Sequence, residues 1–164
     1  MNVYKQLLNL KNSRKKGLAI LIDPDDTNLT KLEQLIQLSL DAHVDYFFIG
    51  GSLILNDRMD AVIGMLKDQK QIPLVIFPGN PNQIHNDADA LLLLSLISGR
   101  NPDLLIGKHV ESAQKIKESR LEIIPTGYIL IDGGIQSAVS YVSNTQSIPR
   151  EEENIAVSTA LAGQ

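Results

Sequence analysis

The hydrophobic positions of the chain fall into two alternating kinds of segment. Short, continuous apolar runs between glycine, proline or aspartate residues are typical of strands that are buried on both faces. Five such runs predict strands at 18–23 (LAILID), 45–50 (DYFFIG), 73–77 (PLVIF), 90–96 (ALLLLSL) and 123–131 (IIPTGYILI). The segments 28–43, 56–69 and 101–119 instead repeat their apolar residues at helical spacing, and a last helical segment is expected from residue 135 to 164.

This alternation predicts an α/β fold with a parallel sheet and helices outside it. The strands lie too far apart in sequence for hairpins, so crossover connections join them. The helix at 28–43 has Asn28 or Thr30 as its N-cap. The polar segment 78–87 (PGNPNQIHND) predicts a loop in place of a regular helix, and the whole chain, 1–164, is predicted to form a single domain.

Composition and charge exclude several classes of function. Of the 164 residues, 43% are hydrophobic and 21% are charged, as in ordinary soluble globular proteins. The net charge of −4 provides no electrostatic footprint for nucleic acid or anionic lipid. The absence of cysteine excludes disulfides and thiolate metal sites, which makes a cytoplasmic location the expectation. The longest apolar run, ALLLLSLI, is much shorter than the roughly 20 residues that span a bilayer.

Every predicted strand is followed by polar or glycine-rich residues, and function in parallel βα proteins collects at these carboxyl ends. Asp23 ends the first strand, where it is either a ligand for a hard cation or a structural residue, as the acceptor of an Asx turn or as a helix N-cap. Ser52 follows Gly50 and Gly51 after the second strand, where it is either a second ligand or a helix N-cap. Because adjacent strands are about 4.8 Å apart, both oxygens are within reach of one Mg²⁺.

Four further residues are candidates for substrate binding. Arg100 and Asn101 follow the fourth strand, where an arginine can bind a diphosphate bidentately; the alternative is a loop arginine in solvent. His109 is either a phosphate contact or an ordinary helix-face residue. Tyr128 either lines a tunnel for an apolar substrate or packs in the core. The three histidines do not have the spacing of a zinc site.

Five motifs, in order, resemble those of the geranylgeranylglyceryl phosphate synthase and PcrB family of prenyltransferases. They are LIDPD at 21–25, FIGGSL at 48–53, IFPGN at 76–80, LLLLSLISGRNPDLLIGKHVE at 91–111 and IIPTGYILIDGG at 123–134. The resemblance extends from about residue 17 to residue 164. It is to the branch with LIDPD, since the lysine that another branch carries two residues before the aspartate is replaced by Leu21.

The resemblance implies a TIM (β/α)8 barrel, of which this chain holds about five βα units. It implies Mg²⁺-dependent transfer of a geranylgeranyl or similar prenyl group from its diphosphate to the C3 hydroxyl of sn-glycerol 1-phosphate, giving an ether lipid precursor. The family's magnesium ligands match Asp23 and Ser52. The expected partners are these two substrates, without nucleic acid and without a transmembrane segment. A homo-oligomer and a peripheral contact with the membrane for product release are also expected.

The chain departs from the family because it lacks counterparts of the last three strands. The resemblance assigns the catalytic base and the glycerol 1-phosphate ligands to those strands, so they are expected beyond Gln164 and the chain alone is expected to be inactive. Two alternatives stay open. One is another phosphate-binding βα-barrel enzyme of the isomerase or aldolase type, and the other is a non-catalytic barrel fragment that acts by association.

Overall fold

The computed structural model describes residues 2–51, 58–80, 83–135 and 138–164. The strands are β1 (Ala19–Ile22), β2 (Tyr46–Ile49), β3 (Leu74–Ile76), β4 (Ala90–Ser95) and β5 (Glu122–Gly127). The helices are α1 (Val3–Asn12), α2 (Leu29–Asp41), α3 (Met59–Asp68), α4 (Lys108–Glu118), α5 (Ala138–Val142) and α6 (Glu153–Ala162), and a π-helical turn at Asp103–Gly107 leads directly into α4.

All five strands are parallel, and they lie side by side in their sequence order, β1 to β5. This confirms the predicted α/β fold. β5 ends at Gly127 rather than at the predicted residue 131 because its neighbour β4 ends at Ser95, whose carbonyl accepts the N–H of Tyr128 at 2.7 Å. Beyond this point Ile131 forms an isolated parallel bridge with Ile148.

The middle strands β2, β3 and β4 are largely buried on both faces, which explains why they are almost continuously apolar, whereas Leu21 of the edge strand β1 is more than half exposed. On β2, Phe47 and Ile49 pack in the cluster that includes residues of α2 and α3, whereas Tyr46 and Phe48 pack in a second cluster on the opposite face. The second cluster also contains Val3 of α1. The strands therefore separate a helix-covered outer face from an inner face that α1 covers in part.

Helix α1 is held to the sheet by a carboxylate at its N-terminus. The N–H groups of Val3 and Tyr4 donate to Glu122 at the start of β5, at 2.6 and 3.2 Å, and the Asn2 side chain accepts from the Lys5 N–H. A negative charge is favourable here because the first-turn N–H groups have no partner within the helix. The sequence did not single out this helix or its contact with Glu122.

The connections between strands agree with two predictions from the sequence. Asn28 is the N-cap of α2, since its side chain accepts from the N–H groups of Thr30 and Lys31 at 2.9 and 3.3 Å. The described residues between β3 and β4 form turns and coil, as the polar segment 78–87 predicts. In the part of the chain that the structure describes, no helix has the length and apolar character needed to cross a membrane.

Candidate active site

The site lies at the carboxyl edge of the sheet, and Asp23 follows β1 there. The backbone N–H of Asp25 donates to Asp23 Oδ1 at 3.0 Å, and the Thr27 hydroxyl donates to the carbonyl of Asp23. The bond from the Asp25 N–H forms an Asx turn, which is one of the structural roles that the sequence predicts for Asp23. The turn holds one carboxylate oxygen in a fixed direction, so it orients the side chain and is compatible with a ligand role.

Two glycines after β2 allow a very close approach of their neighbours. Gly50 has φ +154°, and a Cβ atom on it would lie 1.9 Å from the carbonyl oxygen of Phe77. A Cβ atom on Gly51 would lie 2.3 Å from Asp23 Oδ2 and 2.9 Å from Oδ1. Side chains at these positions would therefore displace the end of β3 or the Asp23 carboxylate, which gives both glycines a specific structural role.

The predicted partner of Asp23, Ser52, lies outside the described residues, so the shared magnesium shell stays a prediction. Within the described ranges, no group of three or more histidine and acidic side chains is placed to hold a metal ion. A single carboxylate is still a donor set that suits Mg²⁺, which commonly takes one or two protein carboxylates and fills its other positions with water and substrate phosphate oxygens.

A cavity of about 310 Å³ opens beside Asp23 and extends along β4. Asp23, the two glycines and the residues at 78–80 form one part of its wall. Its further walls are mainly aliphatic and come from β4, the π-helical turn and α4: Leu91, Leu93, Leu94, Leu104 and Ile116. The site thus combines a polar, carboxylate-bearing wall with other walls that are mainly apolar.

His109 and Tyr128 both line this cavity, and both also have structural contacts. His109 Nε2 lies 2.9 Å from the carbonyl oxygen of Leu94, so this nitrogen carries the hydrogen and donates it. Tyr128 packs edge-on against Phe77, with ring centroids 6.0 Å apart, and Phe77 stacks on Phe48. Both residues thus have structural contacts and also line the cavity. The phosphate contact of His109 and the substrate tunnel at Tyr128 stay predictions.

Arg100 and Asn101 are placed differently. The Arg100 guanidinium donates to the carbonyl of Gly99 at 2.8 Å, and the residue lines a second cavity with Leu105 and residues of α6. Asn101 donates to the carbonyl of Ser143 at 3.0 Å and tethers the loop to the end of α5. Neither residue contributes to the wall of the cavity beside Asp23, and their roles in substrate binding stay predictions.

The structure also adds two residues that the sequence did not select. Lys108 lines the cavity, and its ammonium donates to Glu111 at 2.8 Å; this hydrogen bond raises the pKa of Lys108, so the side chain is a cation at neutral pH. Gln83, in the polar loop 78–87, is only 9% exposed. A glutamine this deeply buried is unusual for a loop, but burial is not visible in the sequence.

The sequence of this chain is similar to those of several known proteins. A geranylgeranylglyceryl phosphate synthase of Chitinophaga pinensis is 48% identical over 162 residues, which are 99% of this chain and 64% of that protein. One of Spirosoma linguale is 46% identical over 158 residues, 96% of this chain and 64% of that protein. The chain therefore spans a little under two thirds of the length of these relatives.

A solved structure has the same fold. The crystal structure of (S)-3-O-geranylgeranylglyceryl phosphate synthase from Thermoplasma acidophilum, in complex with its substrate sn-glycerol-1-phosphate, superposes with a TM-score of 0.87 at 30% identity. The match covers 100% of this chain and 66% of that one, and it confirms the predicted TIM-barrel type of fold. The model of the PcrB family matches residues 11–164. The chain therefore belongs to the PcrB family.

Proposed function

We propose that this chain forms the prenyl diphosphate half of a Mg²⁺-dependent prenyltransferase that alkylates the C3 hydroxyl of sn-glycerol 1-phosphate. The observation that carries the proposal is the cavity, which joins the Asp23 carboxylate to walls of leucine and isoleucine. A prenyl diphosphate has the matching polarity, with a charged head and a long apolar chain. At about 310 Å³ the described cavity has the volume of a small ligand pocket.

The cavity favours this function over a sugar-phosphate isomerase or aldolase. Those enzymes act on small polar substrates and have no use for an apolar cavity that extends from the sheet edge along Leu93 and Leu104 to Ile116. A hydrocarbon chain, by contrast, gains roughly 25 cal/mol for each Å² of apolar surface that it removes from water. The names and substrates of the relatives support the same choice.

The proposed reaction breaks the bond between the allylic C1 carbon and the diphosphate oxygen, and it forms an ether bond between C1 and the C3 oxygen of the acceptor. A bound Mg²⁺ supplies Lewis-acid neutralisation of the diphosphate leaving group. Asp23, and in this proposal Ser52, would hold the ion, while the Lys108 ammonium adds a cation on the cavity wall. The hydroxyl proton passes to a base that we expect outside the five βα units of this chain.

The experiment is a direct binding measurement. Geranylgeranyl diphosphate is titrated into the purified chain by calorimetry, once with excess Mg²⁺ and once with EDTA. We expect Asp23→Asn to reduce the Mg²⁺-dependent affinity by about 10-fold or more. The matched control is Asp68→Asn, which makes the same charge change at the exposed end of α3. Equal affinities with Mg²⁺ and EDTA, or equal effects of the two substitutions, would reject the proposal.

A further inference from the structure

We infer that Gln83 is a positioning residue that fixes the backbone of Gly51 beneath the Asp23 carboxylate. The inference concerns the same site as the proposed function and rests on it only where metal binding is measured. The claim that Gln83 controls the position of Gly51, and through it that of Asp23, needs no bound metal. It follows from the contacts of these three residues.

Gln83 uses both ends of its amide to join two loops. Its Oε1 accepts the backbone N–H of Gly79, which follows β3, at 2.9 Å. Its Nε2 donates to the carbonyl oxygen of Gly51, which follows β2, at the longer distance of 3.4 Å. The side chain therefore bridges the segments that follow two neighbouring strands, and both glycines line the cavity beside Asp23.

The contact reaches Asp23 because Gly51 and Asp23 are in contact. A Cβ atom on Gly51 would come within 2.3 to 2.9 Å of all three terminal atoms of the Asp23 carboxyl group. The space between them is too small for one methyl group, so a movement of the Gly51 backbone toward Asp23 would displace the carboxylate. Residues Gly50 and Gly51 lack side chains that would limit such a movement, so a neighbouring group has to supply the constraint.

The burial of Gln83 gives its amide a large influence on the loops. A buried amide that loses a hydrogen bond is left with an unpaired polar group, so the loops favour the arrangement that satisfies both ends of Gln83. The hydrogen bond to Gly51 also requires a donor at this position, because only a donor stabilises the Gly51 carbonyl oxygen where it lies. An acceptor of the same shape would repel that oxygen.

The experiment uses two substitutions of nearly unchanged volume. Gln83→Glu keeps an acceptor for Gly79 but places a second acceptor opposite the Gly51 carbonyl, and Gln83→Met removes both hydrogen bonds. Gln71→Glu is the matched control, because it makes the same change at an exposed position. Circular dichroism and the urea midpoint first establish that each variant is folded.

The first readout needs no ligand. NMR spectra of labelled protein report the Gly51 amide and the Asp23 carboxyl carbon, and we expect both signals to move in the two Gln83 variants and to stay in place in Gln71→Glu. A folded Gln83 variant in which neither signal moves overturns the inference. If Gln83→Glu does not fold, Gln83→Met provides the same test without a new charge.

The second readout is the affinity for Mn²⁺, used in place of Mg²⁺, in the presence of geranylgeranyl diphosphate and measured by electron paramagnetic resonance. We expect an affinity at least about 5-fold lower in both Gln83 variants and an unchanged affinity in the control. An unchanged Mn²⁺ affinity in folded Gln83 variants overturns the role of Gln83 at the metal site. If the unmodified chain binds no Mn²⁺, the proposed function fails, whereas the NMR measurement still decides whether Gln83 positions Asp23.

Discussion

The Asp23 carboxylate lies directly against the backbone of Gly51: a Cβ atom on residue 51 would stand 2.3 Å from Asp23 Oδ2. Two residues from the ends of neighbouring strands are therefore packed so closely that glycine is the only residue that fits without movement. Because the carboxylate is the proposed metal ligand, this contact couples the shape of the loop after β2 to the chemistry at the end of β1.

The first prediction follows from this contact. Gly51→Ala should displace the Asp23 side chain and lower the Mg²⁺-dependent affinity for geranylgeranyl diphosphate by about 10-fold, measured by calorimetry. Gly64→Ala is the control: a Cβ atom at Gly64, in α3, has nothing within 4 Å. It should leave binding unchanged and stabilise the fold by about 0.5–1 kcal/mol, because alanine is the better helix former. Full affinity in Gly51→Ala would show that Asp23 can move without loss of function.

The second prediction concerns the apolar part of the cavity. Leu104 lines the cavity beside Asp23, whereas its neighbour Leu105 lines the second cavity near α6. Leu104→Trp should fill the proposed prenyl site and reduce the affinity for geranylgeranyl diphosphate by about 10-fold, while Leu105→Trp should have little effect. Each methylene kept out of the cavity costs up to about 0.8 kcal/mol. Both variants should bind inorganic diphosphate with the same affinity. If Leu104→Trp lowered the affinity for inorganic diphosphate as much as that for geranylgeranyl diphosphate, this division of the site would be wrong.

The third prediction concerns the docking of α1. Glu122→Gln removes the negative charge that accepts the N–H groups of Val3 and Tyr4, and it should destabilise the fold by about 1–2 kcal/mol. Urea unfolding followed by circular dichroism measures the change. Glu151→Gln, an exposed position before α6, is the control and should shift the midpoint very little. A midpoint in Glu122→Gln equal to that of the control would show that α1 is held by the packing of its apolar residues Val3, Leu7 and Leu10.

The fourth prediction concerns stability in acid. The hydrogen bond and charge of Lys67 lower the pKa of Asp87 from its ordinary value of 3.8. A carboxylate with a lowered pKa in the folded state contributes stability above the pKa of the unfolded state, and this contribution is lost as pH falls through the folded value. Asp87→Asn should therefore reduce the difference between the urea midpoints at about pH 6 and about pH 2.5. These two pH values lie above and below the ordinary pKa of an aspartate side chain.

This effect should be small because both side chains are more than half exposed and water screens the pair. Lys67→Met is the matched variant and should flatten the same part of the pH profile. An acid limb that is unchanged in both variants would show that the pair does not contribute to stability in solution.

The fifth prediction concerns transfer itself. The purified chain, incubated with Mg²⁺, geranylgeranyl diphosphate and radiolabelled sn-glycerol 1-phosphate, should give no detectable ether lipid after extraction. The proposal assigns to residues 1–164 only the prenyl diphosphate half of the site. A reaction without a general base is commonly slower by about 10²- to 10⁴-fold, and one without acceptor positioning is slower by a further large factor. A complete relative, such as the Chitinophaga pinensis enzyme, is the positive control. Product at a rate near that of the relative would show that five βα units suffice.

The sequence by itself determined the order and kind of the strands. Each apolar run from 18–23 to 90–96 became a strand, with its ends within one residue of the predicted ones. A continuous apolar run between polar or glycine-rich residues is a signature carried by the residues of the strand itself, even at β1, where Leu21 is more than half exposed. The N-cap Asn28 was identifiable for a related reason, since its partners at Thr30 and Lys31 lie two and three residues away. Asp23 was recognisable as a strand-end carboxylate on the same local grounds.

Only the tertiary structure decided which side chains meet. Glu122 accepts from Val3, 119 residues away in sequence, and Gln83 reaches Gly51 across 32 residues. Arg100, which the sequence grouped with the site, lines a different cavity. The end of β5 was likewise set by its neighbour, since the ladder stops where β4 stops at Ser95. Local patterns encode hydrophobic burial and backbone capping, whereas the direction of a loop side chain depends on the packing of segments that are distant in the chain.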